Sequence, residues 1–303
     1  MRAEPTAEVT RSGLVWRTEQ VFTLAGATWR EGLRRRLVLV GLVLAAAFLV
    51  LYGLGIFFIF RSLPSEAGSA GLDIQDFRPL VAYQLLSFGT FVAGFLGIMI
   101  IVFSAAGGIT GDAESGLLQT IVVRPVSRAQ ILAGRSLGFF GLFFVYVVVV
   151  ASGLILLTFG LAGFAPPSPV EAVVFLALQG LLILGIATLA STVLSPVATG
   201  ILALMAYGLS FIGGVVEQIG GLAQSSSAEL VGRIVGFLVP SDRLFRMALS
   251  GLAPSDEGPL SVAQSFGPFG APMGPDIGGI LYALVYVTVC FVVAGLIFAR
   301  KDL

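Results

Sequence analysis

Apolar positions run in long unbroken blocks along this chain and do not alternate with polar ones. Charge-free stretches cover residues 37–60, 79–111, 136–170, 172–216 and 277–299. A helix crossing a hydrocarbon core of about 30 Å needs about 20 apolar residues. The stretch from Ala172 to Val216 would be about 67 Å long as a single helix, at 1.5 Å per residue. That is too long for one crossing and suits two. Its break is predicted at Leu194-Ser195-Pro196, where proline removes a backbone donor and biases its predecessor away from helix. The pattern predicts an all-α polytopic membrane protein with six spans, near 37–60, 80–110, 136–161, 172–194, 197–216 and 278–299.

Composition agrees with that reading. Hydrophobic residues make up 57% of the chain and charged residues 11%, about half the share usual in a soluble domain. The net charge of zero hides an asymmetry. Arg2, Arg11, Arg17, Arg30, Arg34, Arg35 and Arg36 precede the first span, Arg124, Arg128 and Arg135 separate spans two and three, and Arg300 and Lys301 follow the sixth. The positive-inside rule places these loops, and so both termini, in the cytoplasm. The location expected is the cytoplasmic membrane, crossed several times. The first span follows some 36 largely polar residues and no A-x-A site follows it, so it is expected to stay as an anchor and not be cleaved.

Between the spans the chain carries four kinds of segment. Residues 1–13 are expected to be disordered. From Leu14 to Arg36 an amphipathic pattern places Val21, Leu24, Ala25 and Trp29 on one side and Glu19, Gln20, Thr23, Arg30 and Glu31 on the other. Such a helix either lies in the headgroup layer, with Trp29, Arg30, Arg34, Arg35 and Arg36 at the interface, or simply extends the first span. Residues 61–78 and 165–169 are expected to be short polar loops. The segment 217–276 is the largest extracytoplasmic piece, with a helix capped through Ser226-x-x-Glu229, a second from Asp242 to Ser250, and an irregular Gly/Pro/Ser-rich remainder. It either gates the exit or meets an extracytoplasmic partner, or it forms a passive cap.

Several chemistries are excluded. The chain has no histidine, which removes Ser-His hydrolysis and His-ligated metals, and its one cysteine, Cys290, excludes an internal disulfide. No metal site, catalytic residue or nucleic-acid surface is expected. No Asp, Glu, Lys or Arg lies deep inside any of the six predicted spans, which argues against a proton- or sodium-coupled carrier. Neutral polar residues do occur there: Gln84 and Ser87 in span two, Gln179, Thr188, Ser191 and Thr192 in span four, Tyr207 and Ser210 in span five. With the small-residue pairs Ala93/Gly97 and Ala187/Ser191 they fit helix packing. Gln84, Ser87, Gln179 and Tyr207 are also the candidates for lining a substrate pathway.

The most informative polar stretch is GDAESGLLQTIVVRPVSRAQILAGR, residues 111–135. Asp112 and Glu114 are predicted to open a short helix, with Leu117, Leu118, Ile121 and Val122 on its apolar face, that Arg124-Pro125 ends. Ser127-x-x-Gln130 then starts a helix at Arg128 that leads into span three. The run Glu114-x-Gly116-Leu117-Leu118-x-x-Ile121-Val122-x-x-Pro125-Val126-Ser127-Arg128 resembles the E-x-G-T-L-x-x-L-L-x-x-P-[IV]-S-R signature of ABC-2 type transporter permeases. Leu117 stands where threonine is usual. Ala27 to Arg36 resembles the entry elbow of the same family, in the branch that includes the nitrous-oxide-reductase maturation permease.

That resemblance implies an exporter permease that works as a pair, with an identical or related second copy. Each copy would receive a cytoplasmic ATPase against Asp112, Glu114, Gly116, Leu118, Arg124, Pro125, Ser127 and Arg128. This chain has no G-x-x-x-x-G-K-[ST] loop, so ATP and Mg²⁺ would bind the partner and not this chain. The neutral interior suits a hydrophobic or amphipathic substrate. A membrane scaffold or sensor that docks an ATPase without transporting is the alternative. A membrane enzyme would need acid-base residues that the spans lack.

Overall fold

The computed structural model describes residues 7–34, 36–70, 74–114, 128–254 and 274–300, and every regular element among them is an α-helix. In chain order these are α1 (Ala7–Arg34), α2 (Arg36–Ala70), α3 (Ile74–Glu114), α4 (Arg128–Ala162), α5 (Pro169–Ser191), α6 (Pro196–Leu222), α7 (Ser226–Leu238), α8 (Ser241–Leu252) and α9 (Ile277–Arg300). Helices α2 to α6 and α9 are long and apolar enough to cross a membrane. An even number of crossings puts both chain ends on one face, called here the terminal face; the opposite one is the distal face.

Local chemistry sets the sharper boundaries. After α4, Gly163 adopts φ +72° and its N–H donates to the Phe159 carbonyl at 3.0 Å, a left-handed helix end that favours glycine. Ser195 is extended and Pro196 opens α6, where its missing N–H costs nothing. Helix α4 begins at Arg128, where the Ser127-x-x-Gln130 spacing puts it.

Elsewhere helix continues where polar loop was expected. Helix α1 begins at Ala7, not Leu14, and residues 61–70 and 74–78 are helical. Asp112 and Glu114 lie within α3 and do not open a new helix. Polarity alone does not stop a helix, because its hydrogen bonds close within the segment in water as in lipid. The expected Ser226 capping box is also not formed. Ser225 is the cap residue, without a side-chain bond, and Glu229 pairs with Arg233.

Helix α5 is the centre of the bundle. Its most apolar window is 72% buried, against 17% for α2 and 22% for α9, which lie at the periphery. Span two meets span three through the Ala93/Gly97 pair: the Tyr146 hydroxyl donates to the Ala93 carbonyl at 2.8 Å, and its ring occupies the space over Gly97. Tyr52 and Thr158 share a buried hydroxyl contact of 2.8 Å between spans one and three.

Helix α1 packs on the start of α4. A β-carbon on Gly134 would lie 2.7 Å from Leu24 Cβ, and one on Gly138 would lie 2.7 Å from Thr28 Cβ and 2.8 Å from the Ala25 carbonyl. Gly141 faces Trp29, and Gly32 faces Leu142. The near-constant offset over about two turns means that α1 and α4 run side by side in the same direction. Gly134-x-x-x-Gly138 is a small-xxx-small contact that lets two helices approach closely.

The segment after α6 folds back into the bundle. Gly220 lies against Glu229, Gly232 against Glu217 and Gly213 against Val235, so α7 descends antiparallel along α6. Helix α8 then climbs along α5. It starts where Gln179 Nε2 donates to the Ser241 carbonyl at 3.3 Å, and it ends where Ser168 N–H donates to the Gly251 carbonyl at 2.9 Å. Gln179 is ten residues from Pro169, or about 15 Å along the helix, which is half of a hydrocarbon core of about 30 Å. Residues 226–252 therefore do not form an external cap. They are a helical hairpin re-entering the bundle to mid-depth.

Candidate functional site

A bend in the backbone at mid-membrane depth is tolerable only where protein satisfies its polar groups. Two of the neutral polar residues in the spans do this at the α7–α8 bend. The Ser210 hydroxyl of α6 donates to the Val239 carbonyl at 2.6 Å and accepts the Asp242 N–H at 2.9 Å. Gln179 of α5 donates to Ser241 from the other side, to the carbonyl and to Oγ at 3.2 Å. The first turn of α8 is thus capped by two other helices. Sequence spacing carries no signal for partners 62 and 32 residues apart.

The hairpin also carries charge to this depth. Asp242 is buried, and its carboxylate fills the space a side chain at Gly214 would need. Arg246 Nε donates to Asp242 Oδ2 at 2.6 Å, with side chains only 11% and 8% exposed. Removing two charges from water costs several kcal/mol per ion, so each requires the other. The i,i+4 spacing makes this pair legible in the sequence; its burial is not. The expectation that ionisable groups stay away from membrane depth holds for the six spans and fails for the hairpin between the last two.

Beside this pair, helices α6 to α9 enclose a cavity of about 500 Å³. Its charged lining is Glu217 from α6, Arg233 from α7, and Asp242, Arg243 and Arg246 from α8. Arg233 bonds Glu229 and lies 3.6 Å from Glu217, while Arg243 lies 2.9 Å from Asp276 at the start of α9. One wall is aromatic: Phe237 and Tyr282 stack with centroids 5.1 Å apart and an angle of 19°. The Tyr282 hydroxyl donates to the Phe237 carbonyl.

The residues singled out from sequence do not form one site. Gln179 and Tyr207 both border the α7–α8 bend, Tyr207 with its ring against Phe95. Buried Ser87 and half-buried Gln84 lie on α3 eight and eleven residues from Phe95, about 12 and 16 Å farther toward the distal face. At the terminal face, half-buried Trp29 packs on Gly141, and Arg30, Arg34 and Arg36 are exposed. Asp112 and Glu114 are on the last turn of α3 and Arg128 is the first residue of α4. Gly116, Leu118, Arg124, Pro125 and Ser127, together with Arg35, lie outside the described residues. The Gly134-x-x-x-Gly138 contact and the cavity arginines were not among the sequence candidates. The glycine spacing was a readable signal for the first; only folding joins the second.

No curated protein matches this chain. Residues 22–303 match the family model described as ABC-2 family transporter protein. That match takes in the six spans, the folded-back hairpin and the segment 112–128. The chain therefore belongs to the ABC-2 transporter family, as a membrane-spanning permease component without catalytic activity of its own.

Proposed function

We propose that this chain is the permease of an ATP-driven exporter in the cytoplasmic membrane. It works with its terminal face in the cytoplasm, as two copies, each bound by a separate ATPase that holds ATP and Mg²⁺. The observation that carries the reading is the bracket around residues 115–127. Helix α3 continues to Glu114, seven residues past the apolar window that ends at Gly107, or about 10 Å. Helix α4 resumes at Arg128 and is gripped by α1 from Gly134 to Gly141. An ATPase seated on this segment would push two long helices at once. One of them, α4, presses Phe143 onto Gly180 of the central α5, and α1 would travel with it.

The cargo class supported is amphipathic. Spans four and five present neutral dipoles among apolar side chains, and no Asp, Glu, Lys or Arg lies deep inside the six spans to compensate a bare ion. ATP turnover moves cargo only if the two states of the pair bind it differently. The test is co-expression with a phosphate-loop ATPase, scored by co-purification and by ATP turnover in vesicles. Glu114→Arg and Arg128→Glu are each expected to lose the complex. Normal assembly and coupling in both variants would refute docking at this segment. A complex whose turnover no amphiphile stimulates would favour the scaffold reading instead.

A further inference from the structure

The cavity between α6, α7, α8 and α9 combines basic, acidic and aromatic side chains. It has about 500 Å³ of space, within the usual range for a small-molecule site. Arg233 and Arg243 line it with side chains 64% and 46% exposed, so both keep donors available beyond their carboxylate partners. Glu217 supplies a carboxylate that is 41% exposed at 3.6 Å from Arg233, too long for a close bond. Phe237 and Tyr282 supply an aromatic wall. Guanidinium groups recognise phosphate with a fixed fork of donors. A carboxylate beside aromatic faces recognises an ammonium group. The two halves stand side by side in one cavity.

The surroundings indicate what carries those groups. On α7, the exposed Leu230, Val231, Ile234 and Leu238 form an apolar face beside the cavity, and on α9 the exposed Ile277 and Leu281 form another. Both faces belong to the membrane-embedded part of the bundle. A molecule with its polar head in the cavity would lay its chains on lipid-facing surface. A soluble zwitterion would leave those faces unused.

We propose that this cavity binds the phosphoethanolamine headgroup of a phospholipid in the distal leaflet. Arg233 and Arg243 hold the phosphate, Glu217 and the Phe237–Tyr282 wall hold the ammonium, and the acyl chains lie along α7 and α9. The buried Asp242–Arg246 pair is the neutralised floor. This inference does not depend on the ATPase docking proposed above, because it can be read on the permease alone.

The experiment is native mass spectrometry of the full chain released from vesicles of equal parts phosphatidylethanolamine, phosphatidylglycerol and diacylglycerol. The wild-type chain is expected to retain phosphatidylethanolamine at least tenfold over diacylglycerol. Arg233→Gln with Arg243→Gln is expected to abolish retention of both phospholipids. Glu217→Gln is expected to keep phosphatidylglycerol and lose the preference for phosphatidylethanolamine. Arg233→Lys with Arg243→Lys keeps the charge without the fork and should restore part of the binding, which separates loss of the site from loss of the fold. Equal retention of all three lipids, or retention unchanged in the glutamine variants, would overturn the proposal. Displacement by millimolar soluble phosphoethanolamine would overturn the lipid as the source.

Discussion

Replacing Asp242 by asparagine tests whether the hairpin sits at a dry depth. The change preserves shape and the backbone N–H that reaches Ser210, and it leaves the Arg246 guanidinium without a counter-charge. Both side chains are about nine-tenths buried, in contrast to the Arg233–Glu217 pair at 64% and 41% exposed. Breaking a buried pair from one side costs about 3–5 kcal/mol, whereas an exposed pair is worth about 1 kcal/mol or less. Asp242→Asn and Arg246→Met are each expected to lose about 3–5 kcal/mol. The double variant is expected to fall within about 1 kcal/mol of wild type, since two neutral groups of similar size carry no desolvation cost. The coupling is then about 5 kcal/mol or more, roughly several thousandfold in the unfolding equilibrium. The chain supplies its own reporter: Cys290 is its one cysteine and is buried on α9. Pulse labelling of this thiol with a bulky maleimide across an SDS titration in mixed micelles follows unfolding. Single variants costing under about 1 kcal/mol each, with an additive double, would show that the pair is solvated as exposed pairs are. The re-entrant placement would then be refuted.

Further predictions follow from the same packing. Gly232→Ala puts a β-carbon 2.6 Å from the Glu217 nitrogen and 2.7 Å from its Cα, so α7 must move off α6 at about 1–3 kcal/mol. Gly221→Ala, near the end of α6, meets nothing within 4 Å and is expected to stabilise by about 0.5–1 kcal/mol; Cys290 labelling distinguishes the two. Gln179→Leu leaves the Ser241 carbonyl without its side-chain donor and is expected to cost about 1–3 kcal/mol in that assay. Gly138→Leu drives a side chain into Thr28 and the Ala25 carbonyl. Freed from α4, α1 is expected to be cut by trypsin at exposed Arg30 roughly tenfold faster, followed by peptide mass spectrometry.

How much of this was legible in the chain depends on the range of the force involved. The six spans, the turn at Pro196 and the start of α4 at Arg128 are local matters of apolar length, a missing donor and a cap. They can be read within a window of twenty residues. Helix extents were less legible, because α2 and α3 run on through polar sequence, past Pro64 and Gly68 in α2, and polarity does not mark how far a helix projects. For the hairpin the residues gave the helices and misplaced them. Ser241–Leu252 carries Asp242, Arg243 and Arg246, and by composition it belongs in water. Its real environment is set by Gln179 and Ser210, whose reach to it is not encoded in any local pattern.

The amino-acid order by itself determined that the chain is an all-helical membrane body with a polar segment between spans two and three. Burying apolar side chains in lipid needs no particular partner, so composition suffices. Tertiary structure alone decided that α1 rides on span three, that a charged hairpin descends to mid-depth, and that three arginines share a cavity with Glu217 and an aromatic wall. Those outcomes rest on close approach at glycines and on polar groups finding mates far along the chain. Such pairings exist only once the helices have met.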